Sequence, residues 1–233
     1  MRLRSVPRSA TAAWSPHPQP LLALGTVAGA LDVSFSAATE LEVWDLGLDG
    51  GSASRMGGVS AQARFNRLAW TGGSGSGAQR LGVIAGGMEN GDVTLWSAGA
   101  VADGASPGEC LLLKSGAHSG AVKGLDFNAT QPNLLATGSI DRELCIWDLN
   151  SPSKPYAPGG KSAKLEDITV VAWNRQVPYI LASGSSNGAC VIWDLRSRKE
   201  LLMLTQPGGR KTVTGIAWNP DVVSTHYIFY YTI

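Results

Sequence analysis

The eight tryptophans of this 233-residue chain restrict its fold more than any other feature. They sort into two interleaved ladders. Trp44, Trp96, Trp147 and Trp193 each follow an apolar residue, at intervals of 52, 51 and 46 residues, and three of them precede Asp45, Asp148 and Asp194. Trp14, Trp70, Trp173 and Trp218 each close an Ala-Trp pair. Phe127 fills the gap in that series, whose spacings are then 56, 57, 46 and 45. A near-regular period of this size marks supersecondary units that bury their apolar faces on one another.

The two cleanest units, Leu134 to Leu149 and Ile180 to Leu195, align without a gap, and 20 residues separate Phe127 from Trp147 and Trp173 from Trp193. A third unit runs from Val83 to Ser97. The first is looser, with Leu-Ala-Leu-Gly-Thr at 22–26 and Glu-Val-Trp-Asp-Leu at 42–46. Each unit reads as short strands joined by turns. The first strand ends at the Ala-Trp class, the second is the Leu-Ala-Ser-Gly segment, and the third carries the Trp before Asp. A variable loop and a fourth strand complete it. Turns fall at Asp141-Arg142, Asn187-Gly188 and Asn90-Gly91; Asn-Gly predicts a two-residue hairpin turn with positive φ at both positions. Period, four strands and the Trp-Asp pair together describe a WD40 blade. The fold class expected is all-β: a WD40 β-propeller segment of about four blades plus the start of a fifth ending at Trp218-Asn219-Pro220. Residues 1–220 form this segment and 221–233 a divergent tail, in which Tyr227 to Tyr231 reads as a strand and an aggregation cue.

Gly138 and Gly184 in the second strands fit a close approach of neighbouring sheets. His118, Thr137, Asp141 and Trp147 resemble the polar tetrad of WD40 blades. There a turn carboxylate holds an imidazole, which reaches a hydroxyl and then the indole N–H, satisfying buried polar groups. The next unit offers Ser183 and Trp193, but Asn187 replaces the carboxylate and no His precedes it.

Charge and composition close off other classes. With 19 basic and 18 acidic residues the net charge is +1, which gives no field for nucleic acid. Hydrophobic residues make up 44%, enough for a real core. Cys110, Cys145 and Cys190 are scattered without a CxxC pair, arguing against a disulfide framework or a zinc site and for a reducing compartment. Cys145 and Cys190, in strand interiors, read as buried thiols. His17, His118 and His226 form no metal-binding spacing. Gly72 to Gly77 lacks a following Lys-Thr and reads as a flexible loop, not a phosphate cradle. The Asn128-Ala129-Thr130 sequon is silent in a cytosolic protein, and Arg210-Lys211 is solvated loop charge. No apolar run reaches the ~20 residues of a membrane helix. Arg2, Arg4 and Arg8 before an apolar stretch admit a targeting peptide, but Pro16, Pro18 and Pro20 and the fit of Leu21 onward to the repeat favour a strand there. No catalytic, cofactor-binding or metal-binding residue is assigned, no cofactor is expected, and the chain is not expected to be an enzyme.

Several irregular segments carry a more specific resemblance. Ala13-Trp14-Ser15-Pro16, Leu31 to Ser36 followed by Leu41-Glu42-Val43, Arg64 to Trp70, Ile84 to Gly87, Asp167-Ile168 with Ala172 to Gln176, and Val191 to Arg196 resemble the N-terminal propeller of the large outer-cage subunit of the COPII vesicle coat, plant members most of all. The resemblance implies a seven-bladed ring, here incomplete, and a structural scaffold role in ER-to-Golgi vesicle-mediated transport. It implies other COPII coat subunits as protein partners and a peripheral cytoplasmic location at ER exit sites, without membrane insertion or nucleic acid. The family's helical solenoid and the insertion blade lent to its smaller propeller partner are not in the sequence. The chain therefore reads as a truncated product whose end blades expose apolar faces, poorly soluble alone; residues 2–8 read as a strand that closes the last blade of a full ring. The alternatives are a generic WD40 adaptor binding a peptide on its top face, or a truncated product without function.

Overall fold

The computed structural model describes residues 6, 8–29, 38–48, 50–73, 80–152, 154–159, 166–205 and 211–219, and the backbone of 228–231. The excursion at 31–36, most of the glycine run and most of residues 2–8 lie outside the described residues, as does 221–227 of the tail. The chain divides into two compact units, Met1–Glu89 with Val93–Ser115, and Asn90–Asp92 with Gly116–Ile233.

The first unit holds two four-stranded antiparallel sheets in simple meander order. One comprises β1 (Ala10–Trp14), β2 (Leu21–Thr26), β3 (Glu40–Asp45) and β4 (Ser54–Ser60). The other comprises β5 (Phe65–Thr71), β6 (Val83–Met88), β7 (Val93–Ser97) and β8 (Leu111–Ser115). The apolar stretch from Leu21 is thus a strand. Leu21, Leu41, Phe65, Ile84 and Met88 are buried together with Trp70 and Trp96. Two short helices, α1 (Ala98–Ala102) and α2 (Pro107–Cys110), interrupt the passage from β7 to β8. Their ends are chemically fixed. The Ser97 hydroxyl accepts from the Ala100 N–H, and Glu109 accepts from the Ser106 N–H at 3.0 Å and its hydroxyl at 2.6 Å. Helix α1 is buried throughout, and Gly57 of β4 lies directly on its last carbonyls.

A charged knot sits on the first sheet. Glu42 is buried, its carboxylate paired with Arg8 and, at 2.9 Å, with Arg55 Nε, while the Trp44 indole N–H donates to it at 3.1 Å. Burial works against the charge on Glu42. The Trp44 indole, Arg8 and Arg55 outweigh it and hold the carboxyl below its ordinary range. A carboxyl depressed in the folded state contributes stability above its unfolded value, and that contribution is lost as pH falls through the folded one. Glu42→Gln is therefore expected to lower stability by about 1–3 kcal/mol at neutral pH, tempered by the solvent exposure of Arg55. The difference from the parent should shrink at acidic pH, below the ordinary glutamate range, as the folded-state carboxyl becomes protonated. Urea unfolding midpoints at both pH values check this.

The second unit contains three sheets. The first comprises β9 (Val122–Phe127), β10 (Leu134–Ser139) and β11 (Leu144–Asp148). The second comprises β12 (Ile168–Trp173), β13 (Ile180–Ser185), β14 (Ala189–Asp194) and β15 (Lys199–Thr205). In the third, β16 (Gly215–Trp218) pairs with β17 (Ile228–Tyr231). Part of the tail is thus a strand, as its aromatic run suggests. Among the described residues the fourth strand expected after β11 is one bridge, in which Tyr156 N–H donates to Ile146 O at 3.0 Å and Tyr156 O accepts from Ile146 N–H at 2.8 Å. Pro158 occupies the next bonding position and has no N–H to extend the ladder. Close sheet approach at glycine is present. A Cβ on Gly138 would strike Ile168 Cγ2, and one on Gly184 would lie 2.5 Å from Val213 Cγ1.

The hairpin turns differ from expectation. Arg142 (φ +69°), Gly188 (φ +83°) and Gly91 (φ +91°) take the left-handed conformation, but Asp141, Asn187 and Asn90 before them do not. The Asp141, Asn187 and Asn90 side chains instead accept from the backbone N–H two residues on, at 2.9, 3.1 and 3.2 Å. That local bond holds the first residue out of the left-handed region and leaves a longer loop with one left-handed residue at its end.

Candidate functional site

The four indoles of the Trp-Asp ladder each find a buried acceptor, by two routes. In the second unit the acceptor is on the second strand. Trp147 Nε1 donates to Thr137 Oγ1 at 2.9 Å and Trp193 Nε1 to Ser183 Oγ at 2.9 Å. In the first unit it is on the Trp's own strand, two residues earlier. Trp96 donates to Thr94 Oγ1 at 3.0 Å and Trp44 to Glu42. The register explains the exchange. Thr137 faces Cys145 and Ser183 faces Val191, whereas Gly86 faces Thr94 and Leu24 faces Glu42. One polar group is present per cross-strand pair, and it changes sides. Each buried N–H is met either way.

The tetrad forms as its residue types imply. His118 Nε2 lies 2.8 Å from Thr137 Oγ1 and Nδ1 lies 3.1 Å from Asp141 Oδ2, with the four side chains buried. Asp141 also accepts from Ser119 N–H at 2.9 Å. In the next sheet Asn187 stands at the position of Asp141 and is bonded to the Ser185 hydroxyl and the Ala189 N–H. His118, Asp141 and Glu143 lie close enough together to suggest a metal, but both imidazole nitrogens are engaged, so ligation would dismantle the tetrad.

The Ala-Trp ladder forms a second relay. Trp173 Nε1 donates to Asp126 O and Trp218 Nε1 to Ala172 O, both at 3.0 Å. Each acceptor precedes the aromatic residue of the sheet before. Trp70 instead donates to Leu81 O at 2.7 Å, and Trp14 is 60% exposed.

All three cysteines are buried free thiols. Burial pushes Cys190 up to about 12, and burial aided by Glu143 and Asp141 does the same for Cys145. Both stay protonated at neutral pH and are poor nucleophiles. Iodoacetamide at about pH 8 is expected to leave Cys145 and Cys190 unmodified in the folded chain and to label both in urea, read by mass spectrometry.

At the end of the second unit's sheets opposite the Asp141 turn, the sequence reading assigned nothing. There the structure holds an open cavity of about 300 Å³ bounded by Gln131, Leu134, Tyr156, Pro178, Tyr179 and Arg196. Two loops form its walls, each opened by an asparagine. Asn128 Oδ1 accepts from Thr130 and Gln131 N–H groups, and Asn174 Oδ1 from those of Gln176 and Val177. Asn128 Nδ2 donates to Pro178 O at 2.7 Å and ties the loops together. The sequon asparagine is thus a buried structural clamp. Two arginines lie over the tyrosines: Arg196 is 3.5 Å from the Tyr179 ring centroid and Arg198 is 5.0 Å from that of Tyr156. Burial raises the Tyr156 phenol, opposed by Arg198. Tyr156, Tyr179, Arg196 and Arg198 follow no pattern in the sequence and become a cluster only when the strands bring those positions together.

Meandering four-stranded sheets, a His-Asp-Thr-Trp tetrad and a periodic indole ladder define a WD40 β-propeller segment of four blades with the start of a fifth. The WD domain, G-beta repeat family matches residues 109–148. The chain is 43% identical to Protein transport protein SEC31 of Mycosarcoma maydis over 92% of its own length, and 45% identical to Protein transport protein sec31 of Aspergillus fumigatus over 95%. It spans about 17% of the length of those relatives. In structure it matches a chain of "COPII on membranes, outer coat vertex" with a TM-score of 0.78 and 30% identity, over 97% of this chain and 58% of that one. A chain of "The structure of the COPII coat assembled on membranes" matches with the same score over 32% of its length. The resemblance to the COPII outer-cage subunit thus extends across nearly the whole chain.

Proposed function

We propose that the chain is a structural scaffold segment of a COPII outer coat, acting in ER-to-Golgi transport by presenting rigid WD40 surfaces to other coat subunits. The likeness to a chain of the outer coat vertex over 97% of this sequence, at 30% identity, carries the reading. Its mechanism is geometric. Sheets locked by buried indole bonds hold surface residues in fixed positions, and many weak contacts across a lattice sum to stable assembly. This scaffold role asks no catalysis of the chain, and it is supported by Cys145 and Cys190 being held protonated and by His118 being committed to the tetrad. Among the described residues no helix is long and apolar enough to cross a membrane, which suits a peripheral position on the cytoplasmic side, held through protein partners. Residues 1–220 act as the propeller segment, and 221–233 as an appended tail.

Expression of the tagged chain in cells with labelled coat subunits tests this. Recruitment to ER exit sites, with coat subunits recovered on the tag, is the expected result. A diffuse signal with no coat subunit recovered would overturn the proposal.

A further inference from the structure

We infer that the cavity between Tyr156 and Tyr179 is a docking site for an acidic, apolar peptide segment, with one aliphatic or aromatic side chain filling the cavity and a flanking carboxylate pairing with Arg198. This goes beyond the coat reading and is tested apart from it. Size sets the first limit: about 300 Å³ takes one or two side chains, not an extended cofactor. Leu134, Pro178 and the tyrosine rings make the floor and walls apolar, and Gln131 adds an amide at the rim. The walls are held in place before any ligand arrives, because Asn128 bonds Pro178 across the cavity base and each loop is closed on its own asparagine. A preformed site loses little ordering entropy on binding.

Charge selects the occupant. Arg196 is already met by Asp194 at 3.3 Å. Arg198 has no carboxylate partner among the described residues; its guanidinium rests over the Tyr156 ring, and its backbone holds a left-handed turn at φ +54°. Asp148, at the same end, is engaged by Asn133 Nδ2 at 2.9 Å and Asn150 N–H at 3.0 Å, and Asp126 accepts from the Trp173 N–H at 2.8 Å. A cation without a carboxylate partner among the described residues, set beside an apolar, aromatic cavity, favours a peptide carboxylate and repels a basic segment. Two arginines alone provide no track for a nucleic-acid backbone.

The test is fluorescence anisotropy of the full chain with a fluorescein-labelled octapeptide pool alternating Asp or Glu with Leu, Ile, Phe or Tyr. A matched pool carries Asn and Gln in place of the acids. Saturable binding of the acidic pool is expected, about tenfold tighter than the neutral pool and weakening with salt. Arg198→Gln should weaken the acidic pool about tenfold and leave the neutral pool unchanged, with tryptophan fluorescence confirming that the fold is retained. Arg142→Gln, at the opposite end of the sheets, should change neither. Absence of saturable binding, equal binding of the two pools, or indifference to Arg198→Gln overturns the inference.

Discussion

Trp147→Ala is expected to lower the stability of the second unit by about 3–5 kcal/mol, a large share of what a domain of this size possesses. The indole is fully buried, so truncation leaves a cavity the neighbouring strands cannot close. It also removes the donor to Thr137 Oγ1, which then keeps only His118. Trp147→Phe separates the two effects: most of the ring volume stays, and the expected loss falls to about 1–2 kcal/mol. Trp14→Ala supplies the contrast. That side chain is 60% exposed, and its truncation should change stability by no more than about 0.5 kcal/mol. Urea unfolding followed by far-UV circular dichroism reads all three. Equal shifts for Trp14 and Trp147 would show that the ladder does not carry the sheet.

Gly57→Ala should be nearly as damaging, for a reason of backbone and not of cavity. A Cβ at this position would overlap Val101 O and lie 2.7 Å from Ala102 O. Those oxygens belong to a buried helix pinned at its start by Ser97, so it cannot step aside without breaking its cap. The expected loss is about 3 kcal/mol, with faster proteolysis in the 98–110 segment as α1 lifts from β4. Gly108→Ala is the control: nothing lies within 4 Å of its added Cβ, and it should be neutral. If the two substitutions behave alike, the close approach is not the source of the effect.

The strands could be read from the sequence because indoles are rare, bulky and tied to fixed register positions. Trp96, Trp147 and Trp193 each fall at the end of a third strand, where the period places them. The tetrad was legible for a related reason, since His, Thr, Asp and Trp at those offsets have few other ways to satisfy one another. What escaped depends on contacts between distant positions. The migration of the hydroxyl from Thr137 and Ser183 to Thr94 requires knowing which residues face each other across a ladder. The single bridge at Tyr156 follows from Pro158, yet a lone proline in a loop does not announce how many ladder bonds it forecloses. Helices α1 and α2 are too short for a period, although Ser106 and Glu109 carried a capping signal. The tyrosine–arginine cavity is bounded by residues from stretches far apart in the sequence, around 131–134, 156, 178–179 and 195–196.

The donation of Trp173 and Trp218 to the sheet before each has a direction. The Phe127 side chain has no N–H to give, so within the second unit the sequence of donations starts from the Asp126 carbonyl and proceeds through Trp173 and Trp218. Both of these acceptors are therefore made earlier in translation than their donors. As the polypeptide leaves the ribosome, each new layer meets a finished template and never waits for one still inside the exit tunnel.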